Sequence, residues 1–300
     1  MNNLRISTLR KNRHKYYIAS DIDFSPLYNS KLEKVGVRYI GVANYVIIPE
    51  VVHGKKLYDI SYMFSGNENI ISVILPKTAI IAVATFKNCI NLRYISFNNS
   101  LIEDMSEICY GCVSLERISL LPKNTITMNR AFYNCYSLQF LPRLPLHLKY
   151  ANEMCYNCEL LIKVFGDFPY TLEEADHCFF HCISLEHIPV IPRSLWLLDS
   201  MLEECYNFKG PLVVNSYFPS CNNFLKNAGK NNNIIKLDGD SSKLFSLAAT
   251  NPLQNVIVSS DKFLHRGITT NQMIKDNIIH LCNLLWEKKQ KILHYFRGLV

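Results

Sequence analysis

The chain has no apolar run near the roughly 18 residues that a transmembrane helix needs, so no membrane-spanning helix is expected. Its N-terminus lacks the apolar stretch and small-residue cleavage site of a secretory signal. There is no phosphate-binding glycine loop, no strand-to-helix nucleophile elbow and no H-E-x-x-H zinc helix. The usual sequence grounds for a nucleotide-dependent enzyme, a serine hydrolase or a metalloprotease are therefore missing. No acid precedes Asp21, yet the net charge is only +7 over 300 residues. That balance permits an acidic partner without requiring nucleic acid, and none is expected. Disorder of the whole chain is excluded, because 49% of the residues are apolar and 12% aromatic.

What is present is a repeat. Every 23 or 24 residues an apolar residue, two variable residues, Cys, two variable residues and an apolar residue recur. The phrase opens as Phe86-Lys87-Asn88-Cys89-Ile90-Asn91-Leu92, and its later cysteines are Cys112, Cys135, Cys158, Cys182 and Cys205. An upstream copy has Asn67 in the Cys slot, between Phe64 and Ile70. A fixed period of this length predicts a solenoid, in which no coil buries its apolar face alone. Stacked coils lie about 4.8 Å apart, so the repeat cysteines should form a buried ladder of protonated thiols. Eleven cysteines without a secretory signal point to a reducing compartment.

Each repeat divides in two. The Phe-x-x-Cys piece has core residues three apart, which suits one helical turn. The following Leu92, Ile95 and Phe97 suit a short strand entered from a turn, as do Ile70, Val73, Leu75 and Leu115, Ile118, Leu120. Thr78 to Val83 reads as a second strand, and Ser194 to Glu204 as a helix capped by Ser194. Pro142 and Pro189 fall inside strands and cannot donate a ladder hydrogen bond, so their coils should be less regular. The expected architecture is an α/β solenoid of about seven coils of 23 residues, with an N-terminal β cap and a C-terminal helical cap. Its parts are a basic segment over 1–35, the solenoid over 36–210, and degenerate repeats with a cap over 211–300. Val35 to Ile40 and Tyr45 to Ile48 should form an opening strand pair. Phe218, Cys221 and Phe224 mimic the phrase out of period. Asn271 to Arg297 should form an amphipathic helix that caps the stack. Its Lys288, Lys289, Lys291 and Arg297 leave a membrane-surface or partner-docking reading open.

The phrase, with Ile48-Pro49-Glu50-Val51-Val52, Ser72-Val73-Ile74-Leu75-Pro76 and Ala131-Phe132-Tyr133-Asn134-Cys135, resembles the BspA-like leucine-rich repeats over about residues 45–210. The resemblance implies a leucine-rich-repeat solenoid whose usual role is adhesion or protein binding. Residues 1–13 are rich in Asn, Ser, Thr and Ile and look like the export signals of bacterial type III effectors. A mitochondrial-type transit segment and a frayed basic terminus are the other readings.

Two Cys-x-x-Cys pairs, Cys109/Cys112 and Cys155/Cys158, invite a zinc site. In both, the first Cys simply replaces the Phe of the phrase, and the pairs stand two coils apart, too far to share one metal. His177-Cys178-Phe179-Phe180-His181-Cys182, with His187 nearby, is denser. Register commits Phe179 and Cys182 to the core and leaves His177, Cys178 and His181 outside or partly outside. A zinc site or a cysteine nucleophile there is the enzymatic alternative, but nothing supplies an oxyanion hole or a third orienting group. The reading favoured is a non-enzyme without metal or cofactor.

Strand residues that flank the central apolar position point away from the core. They mix aromatics with positive charge and include no carboxylate. Tyr, Phe and Arg are enriched at interfaces, which selects Tyr94, Arg117, Phe140, Lys163, Phe165 and His187 as a binding strip for a protein partner. A covering arm over Phe140 and Phe165 is the competing expectation. The functional expectation is a monomeric protein-interaction module, secreted without a cleaved signal and binding a host protein in the host cytoplasm. A cytoplasmic protein and a surface adhesin are the alternatives.

Overall fold

The computed structural model describes residues 15–28, 31, 34–210, 212–214, 221–230, 235–239 and 256–259. Its backbone hydrogen bonds run between coils. Ala82, Ala84, Phe86 and Asn88 donate their N–H groups to the carbonyls of Asp104, Ser106, Ile108 and Tyr110, one coil on. The same comb starts at Ile60 and reaches Ser200, Leu202 and Glu204, which donate to Asn222, Phe224 and Lys226. Residues in between close i to i−3 turns, as Cys89 does onto Phe86 and Cys135 onto Phe132. An α-helix needs each N–H to reach back four residues. Here alternate N–H groups belong to the neighbouring coil, so the Phe-x-x-Cys piece is a pair of linked turns and not a helical turn. This corrects the α part of the expected class: among the described residues there is no α-helix, and the fold is a β-solenoid. Ser194 to Glu204 is likewise turns, with a bridge at Leu197 in place of the expected helix.

The linked turns have a backbone signature. Two residues per coil, four apart, take left-handed φ: Ala84 and Asn88, Glu107 and Gly111, Arg130 and Asn134, Glu153 and Asn157. The second lies just before the Cys and is mostly Asn or Gly, the residues that enter this region at least cost. The first accepts Tyr, Ala, Glu, Arg, His and Ser, held there by the bonds to the next coil. Gly111 sits at φ +71°, and a Cβ on it would lie 2.3 Å from Asn88 Oδ1. Gly111→Ala should therefore cost about 1–2 kcal/mol in urea denaturation. An unchanged midpoint would show that the turn relaxes freely.

The strands are β1 (Tyr17–Ile18), β2 (Phe24–Tyr28), β3 (Lys34–Tyr39), β4 (Tyr45–Ile47), β5 (Val51–Val52), β6 (Lys55–Lys56), β7 (Ser72–Ile74), β8 (Tyr94–Ser96), β9 (Arg117–Ile118), β10 (Phe140–Leu141), β11 (Lys163–Val164), β12 (Leu212–Val214), β13 (Ile235–Gly239) and β14 (Val256–Ser259). β1, β4, β7, β8 and β9 form one parallel sheet, β10 and β11 a second, and β12, β13 and β14 a third. A parallel column of single bridges joins Asp59, Ile81, Asp104, Thr127, Tyr150, Glu174 and Leu197 on another side of the coils. Only the bridge at Ile81 marks the segment Thr78 to Val83, so the second strand expected there is not formed.

The bridge column passes Asp104, Thr127 and Tyr150 unbroken, while the strand ladder stops between β9 and β10. Proline explains the stop. Ser119 N–H donates to Ile95 O, and Phe165 N–H to Leu141 O. Pro142 occupies the equivalent place between them and has no N–H to give. Pro189 stands in the same slot one coil after Phe165, where a single Lys163–His187 bridge replaces a strand pair.

The first end is closed differently from expectation. β4 is a solenoid strand between β1 and β7, not the partner of β3. β3 instead pairs antiparallel with β2. Phe24 meets Tyr39 edge-on at 5.7 Å, and Tyr39 lies 4.7 Å from Phe64, which is 5.3 Å from Phe86. The β2–β3 ribbon thus covers the exposed end of the aromatic core. β1, β2 and the 3-10 turn Asp21–Asp23 fall inside the basic segment 1–35. Their apolar Ala19 and Phe24 are buried, which holds them on the fold.

At the other end the repeat outlasts its sequence signal. Asn223 and Asn227 take the two left-handed places, so Leu225 and Ala228 fill the Phe and Cys slots. Cys205 and Ala228 keep the 23-residue step, hidden in the sequence because Ala stands for Cys. Phe218 and the helix over Asn271 to Arg297 lie outside the described residues.

Candidate interaction face

The six repeat cysteines are fully buried. Each thiol donates to a carbonyl of the preceding coil: Cys89 to Phe64, Cys112 to Phe86, Cys135 to Cys109, Cys158 to Phe132, Cys182 to Cys155 and Cys205 to Phe179, at 2.9–3.2 Å. This gives a reason for Cys over Ala. The slot is filled by a small, fully buried side chain, and a weak S–H donor meets a buried carbonyl. Burial pushes the thiols of Cys89, Cys109, Cys135, Cys155, Cys178, Cys182 and Cys205 well up.

That burial corrects one reading. Cys178, expected outside or partly outside, is 1% exposed. A nucleophilic cysteine needs an accessible site that lowers its pKa, and here the shift has the opposite sign. His177 Nδ1 lies 2.8 Å from Asp176, and His181 Nδ1 lies 2.8 Å from Glu204 across the coil step. No group of three or more His, Cys, Asp or Glu among the described residues is arranged to hold a metal.

The strand strip is partly assembled. Tyr94 pairs in register with Arg117, and Phe140 with Lys163, which bridges on to His187. The Phe140 and Phe165 rings lie 5.9 Å apart, and Lys163 Nζ sits 5.3 Å over the Phe165 ring. Phe140 is 43% and Phe165 46% exposed, so no arm among the described residues covers either ring. Tyr94 is half-buried, and the His187 ring is tied to the Gly210 carbonyl. The sheet break separates Tyr94 and Arg117 from the rest. Carboxylates are also nearer than the strand positions alone indicate. Glu116 and Glu186 stand one residue before Arg117 and His187, neutralised by Arg93 at 3.0 Å and Lys209 at 2.6 Å. Arg117 and Lys163 make no ion pair with any described carboxylate.

Two features of the turn arc escaped sequence reading. Tyr110, Tyr133, Tyr156 and Phe180 stack at 4.7, 4.6 and 4.5 Å with nearly parallel rings. These distances match the coil step, so a residue recurring after the Phe slot must stack on its own copy. Lys87 Nζ covers the free face of Tyr110 at 4.6 Å. Beside the stack, Lys87–Glu107 and Arg130–Glu153 pair across coils, both at 2.7 Å. With ring faces and charges satisfied internally, this arc serves the scaffold.

The geometry defines a class: a parallel β-solenoid with an aromatic and basic strand face. Residues 60–186 and 108–209 match the model of the BspA type leucine-rich repeat region, in six copies. The chain belongs to this family. Among solved structures, a leucine-rich repeat protein of T. pallidum is 20% identical, with a TM-score of 0.50 over 63% of this chain and 90% of that one. A leucine-rich repeat protein from Bacteroides ovatus is 17% identical, with a TM-score of 0.45 over 79% of this chain and 75% of that one. At such identities the likeness concerns the fold alone. No curated protein matches the chain.

Proposed function

We propose that the protein is a non-catalytic interaction module that binds a protein partner through its strand face. Family membership supports a protein-interaction or adhesin-type role. The observation that carries the finer reading is the exposed Phe140–Phe165 pair beside Lys163, with Arg117 across the sheet break. Exposed aromatics next to cations without carboxylate partners are the composition of a binding hot spot. The proposed setting is an effector delivered without a cleaved signal into a host cytoplasm, where it meets a host protein. The composition of residues 1–13 supports that setting.

The test is affinity capture from eukaryotic lysate by the full chain and by the Arg117→Glu/Phe140→Ser double variant. Both residues are exposed, so circular dichroism and melting temperature should not move. Affinity for the captured partner should fall by at least about 30-fold. Arg130→Ala on the turn arc should leave it unchanged, because an exposed ion pair contributes little. Equal binding by the wild type and the double variant would remove the strip from consideration.

A further inference from the structure

Where the strand ladder breaks, the face continues into a groove. The turns that follow β9 and β10, with the turn at Asn99–Leu101, enclose a hollow of about 770 Å³. Leu101, Leu120 and Leu146 line it and are 50%, 76% and 59% exposed. Leu121 and Leu144 are buried beneath them. Its charged lining is Lys123 and Arg143, with His147 beside them and no carboxylate. On the turn arc, Lys87, Arg130 and Lys226 each meet a carboxylate one coil away. Lys123 and Arg143 meet no described one. The Ser100 hydroxyl, buried in the same lining, has no hydrogen-bond partner.

Three exposed leucines in one hollow are more than scattered surface apolarity. The cations decide the occupant. We propose that the groove takes an acidic peptide segment of the partner protein, its bulky apolar side chains between Leu101, Leu120 and Leu146 and its carboxylates on Lys123 and Arg143. The chain's own terminal segment, with Lys288, Lys289, Lys291 and Arg297, carries the wrong charge for this place. The inference rests on the reading of the strand face as a protein-binding surface, because Leu120 and Arg143 follow β9 and β10 by two residues.

The probe is a fluorescein-labelled peptide in which Leu and Phe alternate with Glu, compared with a peptide carrying Lys in place of Glu. Fluorescence anisotropy with the full chain should show binding of the acidic peptide that weakens with salt, and at least tenfold weaker binding of the basic one. Leu120→Asp, and separately Lys123→Glu/Arg143→Glu, should each weaken the acidic peptide by about tenfold or more at unchanged melting temperature. Equal affinity for both peptides, or no effect of either groove variant, overturns the proposal. So does flotation of the chain with vesicles of phosphatidylserine and phosphatidylcholine that depends on Lys123 and Arg143 while the peptide fails to bind. The strip and the groove fail separately. Partner binding lost with Arg117→Glu/Phe140→Ser but untouched by Leu120→Asp sinks the groove alone. The reverse pattern sinks the strip alone.

Discussion

Raising the pH from 8 to 10.5 should unfold the protein, with most of the loss above the ordinary thiol value near pH 8.5. Cys89, Cys109, Cys135, Cys155, Cys178, Cys182 and Cys205 hold their protons in the folded state because burial penalises the thiolate. In the unfolded chain the same thiols ionise near pH 8.5 to 9. Stability is therefore intact below that value and falls as pH rises above it, since only the unfolded state releases protons. Each such thiol removes about 1.4 kcal/mol per pH unit. Seven together remove about 10 kcal/mol for each pH unit above that value, comparable with the whole stability of an ordinary domain, about 5–15 kcal/mol. Urea midpoints between pH 7.5 and 10 should drop with steepening slope, and a chain with Cys89, Cys135 and Cys182 changed to Ala should drop less steeply. A flat profile to pH 10 would mean that the thiols do not stay protonated inside the coils. The same burial should leave these seven thiols unreactive toward maleimide at pH 7.5 until the chain is unfolded, while the partly buried Cys221 is open to the reagent.

Phe132→Ala should cost about 3–5 kcal/mol, whereas Phe140→Ala, eight residues on, should cost less than about 0.5 kcal/mol. Phe132 is fully buried in the Phe slot, and its backbone is fixed at both ends. Its N–H donates to Met154 O, and its carbonyl accepts the Cys158 thiol. The surrounding coils cannot close a cavity there without breaking those bonds, so the full transfer and cavity cost is felt. Phe140 stands on the solvent side of β10 and is 43% exposed. Denaturant melts of the two variants decide the point. Similar losses would mean that Phe140 is held by contacts that the strand face does not display. A stability loss at Phe132 alone, with a partner-binding loss at Phe140, would separate scaffold from face within one coil.

Much of this molecule was legible because a solenoid states its core once per coil. The spacing of Phe86, Cys89, Leu92, Ile95 and Phe97 places five core side chains in that coil, and all five are fully buried. The same register placed Cys182 and Phe179 inside and Tyr94, Arg117, Phe140, Lys163 and Phe165 on the strand side. It anticipated irregular coils at Pro142 and Pro189, because a missing N–H is a property of the residue itself. The helical turn was misread for a definite reason. Core residues three apart suit one turn of helix and equally suit two linked turns with left-handed residues between them. The signal against the helix was present as Asn or Gly before four of the six repeat cysteines, at Asn88, Gly111, Asn134 and Asn157. Cys178 was misplaced by the same error, since a helical turn and a linked turn direct the residue before the Phe slot differently.

What the sequence determined by itself is therefore the period and most of the core, because burial recurs with the repeat and needs no partner coil to be recognised; Leu120, read as a core position of its strand, is instead 76% exposed, because the chain turns out after Ile118. Only the tertiary structure decided where the backbone hydrogen bonds go, and with them that the coils carry turns and that Ala228 replaces a cysteine. It alone brought Leu101, Leu120 and Leu146 to one hollow beside Lys123 and Arg143. Those residues come from different coils at irregular spacing, and their meeting follows from how each turn leaves its strand, a geometry that no period encodes.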